Sequence, residues 1–416
     1  MSIILSGAVT SSRRRIADVI ISNRPFIIVW LALFISVIGI AMVSPLLPVF
    51  VKEMGASGIW LGLAFSGFTL LQVPLMPVIG KLADRFNKKL FLWLGLVIYT
   101  ISALGYFWAP GYQELVIFRI FSGIGSAMVM PIAFSYIGEL APYGYEGRYM
   151  GLFSIAMIAG FGVGPMLGGV IHDIFGTDAT FLVMSALSFM GFLIILFLLP
   201  PKPSKPTSSD TAETTDENIT SVPFFSILRD MTMRSIVILQ MVIGLLFGTI
   251  LAFIGIWMTD EMGTTVAYVG ILLSIRSIVT GIFAYPAGWL ADRLNRIVLA
   301  TLGIGTVILC TFSIPWLKSF FLLIVIFIIM GFSESIAMPS ISAITVEKGR
   351  SMGMGSVMGF FNMAMSLGLF IGSMAGGIVE EVFGIVSVFR STALLGLAGI
   401  IVFDVMMMRT SKKISL

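Results

Sequence analysis

Gly80-Lys81-Leu82-Ala83-Asp84-Arg85-Phe86-Asn87-Lys88-Lys89 closes one long apolar run, and Gly288-Trp289-Leu290-Ala291-Asp292-Arg293-Leu294-Asn295-Arg296 closes another, 208 residues later. The same offset returns in a second, unrelated pattern: Gly160, Gly164, Gly168 and Gly169 are matched by Gly368, Gly372, Gly376 and Gly377. Two independent motifs at one spacing make chance a poor explanation. The chain reads as a duplication of a unit half its length.

Composition says where such a unit resides. Of the 416 residues 58% are hydrophobic and only 11% charged, with a mean hydropathy of +1.05, whereas an ordinary soluble domain carries about 25% charged residues. Too few charges are present to build a water-soluble surface. A helix needs roughly 20 residues to cross the hydrocarbon of a bilayer, and apolar runs of that length fall at 26–50, 59–79, 90–108, 114–138, 149–171 and 180–199, then at 236–258, 268–289, 297–315, 319–344, 352–377 and 386–408. Strand-like alternation is absent and open sheet edges are excluded from lipid, so all twelve runs are read as helices. The run after Arg13, Arg14 and Arg15 is too long for a signal peptide and has no small-residue cleavage site; it is read as a retained first span.

Twelve spans put both termini on one side. The connections on that side hold twenty Lys and Arg residues, and the other side holds Lys52, Lys318 and Arg390. That asymmetry predicts cytoplasmic termini in a multi-pass protein of the cell membrane. A missed or invented span would have mixed the two sides. The basic residues lie between apolar runs and not in an aromatic-laced patch, which speaks against nucleic acid. The polar stretch Pro200–Pro223 has almost nothing to bury and reads as part of a cytoplasmic linker. The expected architecture is all-α, two pseudo-symmetric six-helix bundles at 1–199 and 235–416 joined by a linker at 200–234. Duplicated membrane halves are a mark of alternating-access transporters that hold substrate near the midplane between them.

The paired G-x-L-A-D-R loops resemble the signature of the major facilitator superfamily between its second and third helices and that signature's fainter echo between the eighth and ninth. Arg119-Ile120-Phe121-Ser122-Gly123-Ile124-Gly125 resembles the family's fourth-helix motif, and Gly160-Phe161-Gly162-Val163-Gly164-Pro165-Met166-Leu167-Gly168-Gly169 its fifth-helix motif, associated with antiporters and especially with drug and metabolite exporters. The resemblance covers essentially the whole chain. It implies that Asp84 sits against the N-terminus of the eleventh helix, and that the cytoplasmic loops act as a gate. Gating residues are then Gly80, Asp84, Arg85, Glu139, Arg148, Gly288, Asp292 and Arg293, with Arg85 free to pair with Glu139.

In the fifth span Gly160, Gly164 and Gly168 are spaced by four and share a helix face; together with Pro165 and Gly169 they are read as a hinge and close seal between the halves. Arg119, Arg276 and Glu334 lie inside spans, where charge is costly and normally faces a cavity or a partner. Glu334 is the one carboxylate near the middle of any span, which makes it the first candidate for a protonatable coupling group. Gln72, Gln240 and Asn362 are the uncharged cavity candidates, with Trp30, Tyr136, Phe247, Trp257 and Phe361 as apolar contacts. His172 and Asp173 sit at the outer mouth of the fifth span, and one histidine with no cysteine nearby makes no metal site. The first span lacks the embedded acid of some multidrug exporters resembling this family. Two arginines against one glutamate therefore favour anionic, zwitterionic or neutral compounds over lipophilic cations.

The expected function is proton-coupled export of a small organic molecule, with protons as the coupling ion, lipid as surroundings, no cofactor and a monomer sufficing. The alternative is a proton symporter or facilitator importing a sugar or organic anion. A channel would need a selectivity ring or carbonyl loop that the sequence does not show. An enzyme would need a nucleophile, metal set or acid–base pair, and one histidine and one cysteine form no such cluster.

Overall fold

The computed structural model describes residues 23–140, 146–200, 229–352 and 354–414; within these, the side chains of 81, 84, 85, 146–148, 292, 349–356 and 411–414 lie outside the description. Twelve helices among the described residues are long and apolar enough to span a bilayer. They are α1 (Arg24–Glu53), α2 (Ile59–Gly80), α3 (Lys88–Trp108), α4 (Tyr112–Leu140), α5 (Tyr149–Phe175), α6 (Thr177–Leu198), α7 (Met231–Met262), α8 (Val266–Ala291), α9 (Arg296–Trp316), α10 (Phe320–Lys348), α11 (Val357–Phe383) and α12 (Ile385–Thr410). The connection expected to run through 234 is shorter than that: α7 begins at Met231, where the Asp230 carboxylate caps it by accepting from the Met233 amide at 2.9 Å. The rest of the expected linker, 201–228, lies outside the described residues.

The duplication is written into the caps and turns. Asn87 caps α3 through the Lys89 amide, and Asn295, 208 residues on, caps α9 through the Ile297 amide. Gly55 and Gly263 turn the chain with φ of 90° and 62°, and Gly176 and Gly384 with φ of 85° and 80°. Left-handed backbone of this kind is open to glycine and strained for other residues, so all four turns hold glycine at matched positions. At the terminus-bearing side Lys88 bonds Glu139, and its counterpart Arg296 bonds Glu347, the counterpart of Glu139.

Gly160, Gly164 and Gly168 do not face the opposite half, contrary to expectation. A Cβ on each would meet Val37, Ala41 or the Met42 carbonyl of α1, and Gly368, Gly372 and Gly376 press α11 onto α7 in the same way. Their role is close packing within a half, where small residues let backbones touch without a hydrophobic drive from lipid. The adjoining positions Gly169 and Gly377 do turn across, toward Val266 and Gly58.

The halves meet along α5 with α8 and α2 with α11, on the side away from the start of α1 and the end of α12. Gly270 abuts the carbonyl of Pro165, and the equivalent Gly62 abuts the carbonyl of Ser373. Ser66 and Ser373 share a hydrogen bond of 2.5 Å, while the counterpart of Ser66, Ser274, accepts from the Met166 amide at 3.1 Å. Toward the other side the same four helices carry Gly80, Gly151, Gly288 and Gly359, again two pairs 208 apart, each with open space among the described residues where a Cβ would stand. Among the described residues the halves are sealed at the far side and part toward the side where α1 begins.

Candidate functional site

Beneath the seal lies a cavity of about 500 Å³, walled by both halves. Its lining repeats at the same offset: Phe65 with Leu273, Phe68 with Arg276, Gln72 with Thr280, Tyr99 with Val307, Ser126 with Glu334, Met130 with Met338, Met157 with Met365 and Phe161 with Leu369. The pocket therefore straddles the axis that relates the halves. Its volume falls in the range usual for small-molecule sites.

Arg119 reaches this pocket because α2 is broken. The helix is interrupted between Ser66 and Thr69, and Arg119, only 3% exposed, donates from Nε and Nη2 to the Phe65 carbonyl at 3.2 and 2.8 Å. Its guanidinium also lies 4.7 Å from the Phe68 ring centre. Gly123, one turn along α4, leaves room for the Phe68 carbonyl. The fourth-helix motif thus supplies both the charge and the gap that admits the broken helix.

Arg276 is tied differently. It forms a two-pronged pair with Glu334, one prong from Nε to Oε2 at 3.1 Å and the other from Nη2 to Oε1, and lies over Phe247. Gly331 brings α10 against the backbone of Arg276, and Thr280 Oγ1 donates to the Gly331 carbonyl at 3.1 Å. The third guanidinium nitrogen, Nη1, is buried with no partner among the described residues.

Of the uncharged candidates, Gln72 lines the cavity and donates to Ser126 Oγ at 2.8 Å. Gln240 does not: it is fully buried inside the second half, outside the lining. Asn362 is exposed and bonds the Met358 carbonyl of its own helix; it shares a face with Met365 and Leu369 but stands a turn beyond the cavity, toward the parted side. Among the aromatics Phe247 lines the pocket, while Tyr136 and Trp257 are buried in their own halves, Trp30 is held by the Leu152 carbonyl and Phe361 packs against the interior.

The side chains of the expected gate residues Asp84, Arg85, Arg148 and Asp292 lie outside the described ones. Glu139 pairs with Lys88, and Arg293 lies over Trp289 at 4.0 Å. At Gly80 and Gly288 a Cβ would meet nothing within 4 Å among the described residues.

Sequence reasoning missed the charged cluster at the sealed end. Lys52 pairs with Asp260 at 2.5 Å and Glu380 at 3.4 Å. Asp173 accepts from the Ala267 amide at the N-terminus of α8 at 3.1 Å, and its counterpart Glu381 lies against Gly58 at the N-terminus of α2. Carboxylates are favoured at helix N-termini by free amides and the helix dipole. The signal was available: Lys52 and Asp260, like Asp173 and Glu381, stand 208 apart.

The family model of the Major Facilitator Superfamily matches residues 29–252 and 236–415. The chain belongs to that superfamily. Within the superfamily it is 27% identical over 370 residues to the uncharacterized MFS-type transporter MJ1560 of Methanocaldococcus jannaschii, covering 89% of this chain and 95% of that protein. It is 30% identical over 152 residues to the quinolone resistance protein NorA of Staphylococcus aureus, a match spanning 36% of this chain and 39% of NorA. The nucleoside transporter NupG shares the fold, with a TM-score of 0.76, 15% identity, and coverage of 92% of this chain and 99% of NupG. This chain is therefore a multi-pass membrane transporter of the superfamily.

Proposed function

We propose that this transporter exports a small organic molecule in exchange for protons, rocking its halves about the central cavity with both termini in the cytoplasm of the cell membrane. The observation that carries the reading is the pocket itself: a cavity between duplicated halves, closed at one end by matched glycine contacts and walled, among the described residues, by a single carboxylate, Glu334, already paired with Arg276. Protonation of Glu334 breaks that pair and frees the Arg276 charge, so loading a proton and binding a substrate compete for one wall. Export is supported by the fifth-helix motif and by the partial match to NorA. With that orientation the sealed end is external and the state described is open to the cytoplasm. The connection between α6 and α7 joins the two functional halves, and one chain supplies the complete pathway.

The test is transport by the purified full-length chain in proteoliposomes with an imposed pH gradient. Opposite movement of protons and substrate is expected. Parallel movement identifies a symporter, and movement indifferent to the gradient a facilitator; either result displaces the exchange reading.

A further inference from the structure

We propose that the Arg119 corner of the cavity is an anion subsite, and that the transported molecule is amphipathic, with a carboxylate or sulfonate against Arg119 and an apolar body among the aromatic and methionine side chains. This rests on reading the cavity as the transport site. The two walls differ in one decisive respect. On α10, Glu334 neutralises Arg276; at the equivalent position of α4 stands Ser126, a hydroxyl. Among the described residues Arg119 has no carboxylate within ion-pairing distance, and both of its hydrogen bonds there end on one neutral oxygen, that of Phe65. Holding the α2 break accounts for that carbonyl and leaves the charge uncompensated.

Counting the charged lining residues, Arg119 and Arg276 against Glu334, the cavity has one excess positive charge. A guanidinium 3% exposed has lost most of its water, and an unpaired buried charge is costly until an anion or its equivalent arrives. Next to it lie Ser122, whose hydroxyl donates to the Arg119 carbonyl at 2.6 Å, and Ser126, whose hydroxyl is shared between Gln72 and Tyr99, so the polar lining there is neutral and leaves the anion to the guanidinium. The remaining surface suits an apolar body: Phe65, Phe161 and Phe247 offer ring faces, and Met130, Met157 and Met338 adapt to varied shapes. A lipophilic cation finds one acid there, and that acid is already engaged.

The experiment uses three probes of nearly one shape, naphthaleneacetate, naphthaleneacetamide and naphthylethylamine, titrated calorimetrically into the detergent-purified full chain at neutral pH. The acetate is expected to bind about tenfold or more tightly than the amide, and the amine more weakly than either. Arg119→Gln is expected to bring the acetate down to the amide. Ser126→Asp, which places an acid where the second half has Glu334, is expected to do the same with Arg119 in place, so the subsite remains testable should one variant fail to fold. Thermal melting identifies which variants are folded. Equal binding of acetate and amide by the unaltered protein, strongest binding of the amine, no saturable binding of any probe, or an acetate preference that survives in a folded variant overturns the proposal. Because no gradient is present, failed proton exchange in vesicles with the acetate preference intact counts against the exporter reading alone.

Discussion

Lys52 and Asp260, equivalent positions of the two halves, form an ion pair of 2.5 Å at the sealed end. A residue and its own repeat counterpart meet only near the axis that relates the halves, so this pair marks where the outer ends converge. Both side chains are partly exposed, at 30% and 43%, and such pairs contribute about 0.2–1 kcal/mol. Asp260→Asn is therefore expected to raise the population open at this end by at most about fivefold, with folding intact. Spin labels placed across the α1–α7 end would read the shift as a longer-distance population. An unchanged distance distribution would show that the pair only decorates a seal held by other contacts.

Backbone contact does more of the sealing. A Cβ on Gly270 would collide with the Pro165 carbonyl, and one on Gly62 with the Ser373 carbonyl, neither of which can move aside as a flexible side chain would. Overpacking of this kind costs about 1–3 kcal/mol. The penalty falls on the state in which these helices touch, so Gly270→Ala and Gly62→Ala are expected to favour the state open at the far side and to slow turnover. Accessibility of a cysteine introduced at Ser66 to an impermeant reagent would rise. Slower turnover with unchanged accessibility would place the damage elsewhere.

The duplication, the span count and the intramembrane charges were legible because each rests on covalent order: a fixed offset, a run length, a charge where lipid forbids one. Which face of a helix meets which neighbour was not. Gly160, Gly164 and Gly168 share a face in any helix, but only tertiary packing decides whether that face meets α1 or the other half. Gln240 and Asn362 failed as cavity residues for the same reason, since spans apolar all round carry little directional information. Arg119 was picked for its charge, yet its acceptor is a backbone oxygen at a helix break, invisible in side-chain spacing.

Asp230 gives a pH-dependent check on the α7 cap. Burial pushes its carboxyl upward, but hydrogen bonds from Lys348 and from the Met233 amide, with the Lys348 charge, outweigh this and hold it below its ordinary 3.8. A depressed carboxylate stabilises the fold fully above its ordinary value, and the contribution is lost as pH falls through the native value. Asp230→Asn keeps a capping oxygen and removes only the charge that faces Lys348, so it is expected to lower the melting temperature of the purified protein slightly at neutral pH, a partly exposed ion pair being worth about 0.2–1 kcal/mol. The gap from the unaltered protein should narrow progressively below about pH 4. A gap that stays constant down to acid pH would show that the charge of Asp230 contributes nothing.

The Arg276–Glu334 pair separates a structural from a coupling role. Removing one member of a buried pair leaves an uncompensated charge and costs about 3–5 kcal/mol, an upper figure here because Glu334 is 18% exposed toward the cavity. Arg276→Leu is thus expected to lower stability strongly, and Glu334→Leu added to it to restore much of the loss. Glu334→Gln keeps an acceptor for Arg276 and removes the titration, so the fold should hold while proton-driven accumulation falls at least about tenfold and loses its dependence on pH. Exchange of substrate for substrate, which needs no net proton movement, should persist. If Glu334→Gln preserves the pH profile of uptake into proteoliposomes, the pair only braces α8 against α10, and the proton must travel by another group.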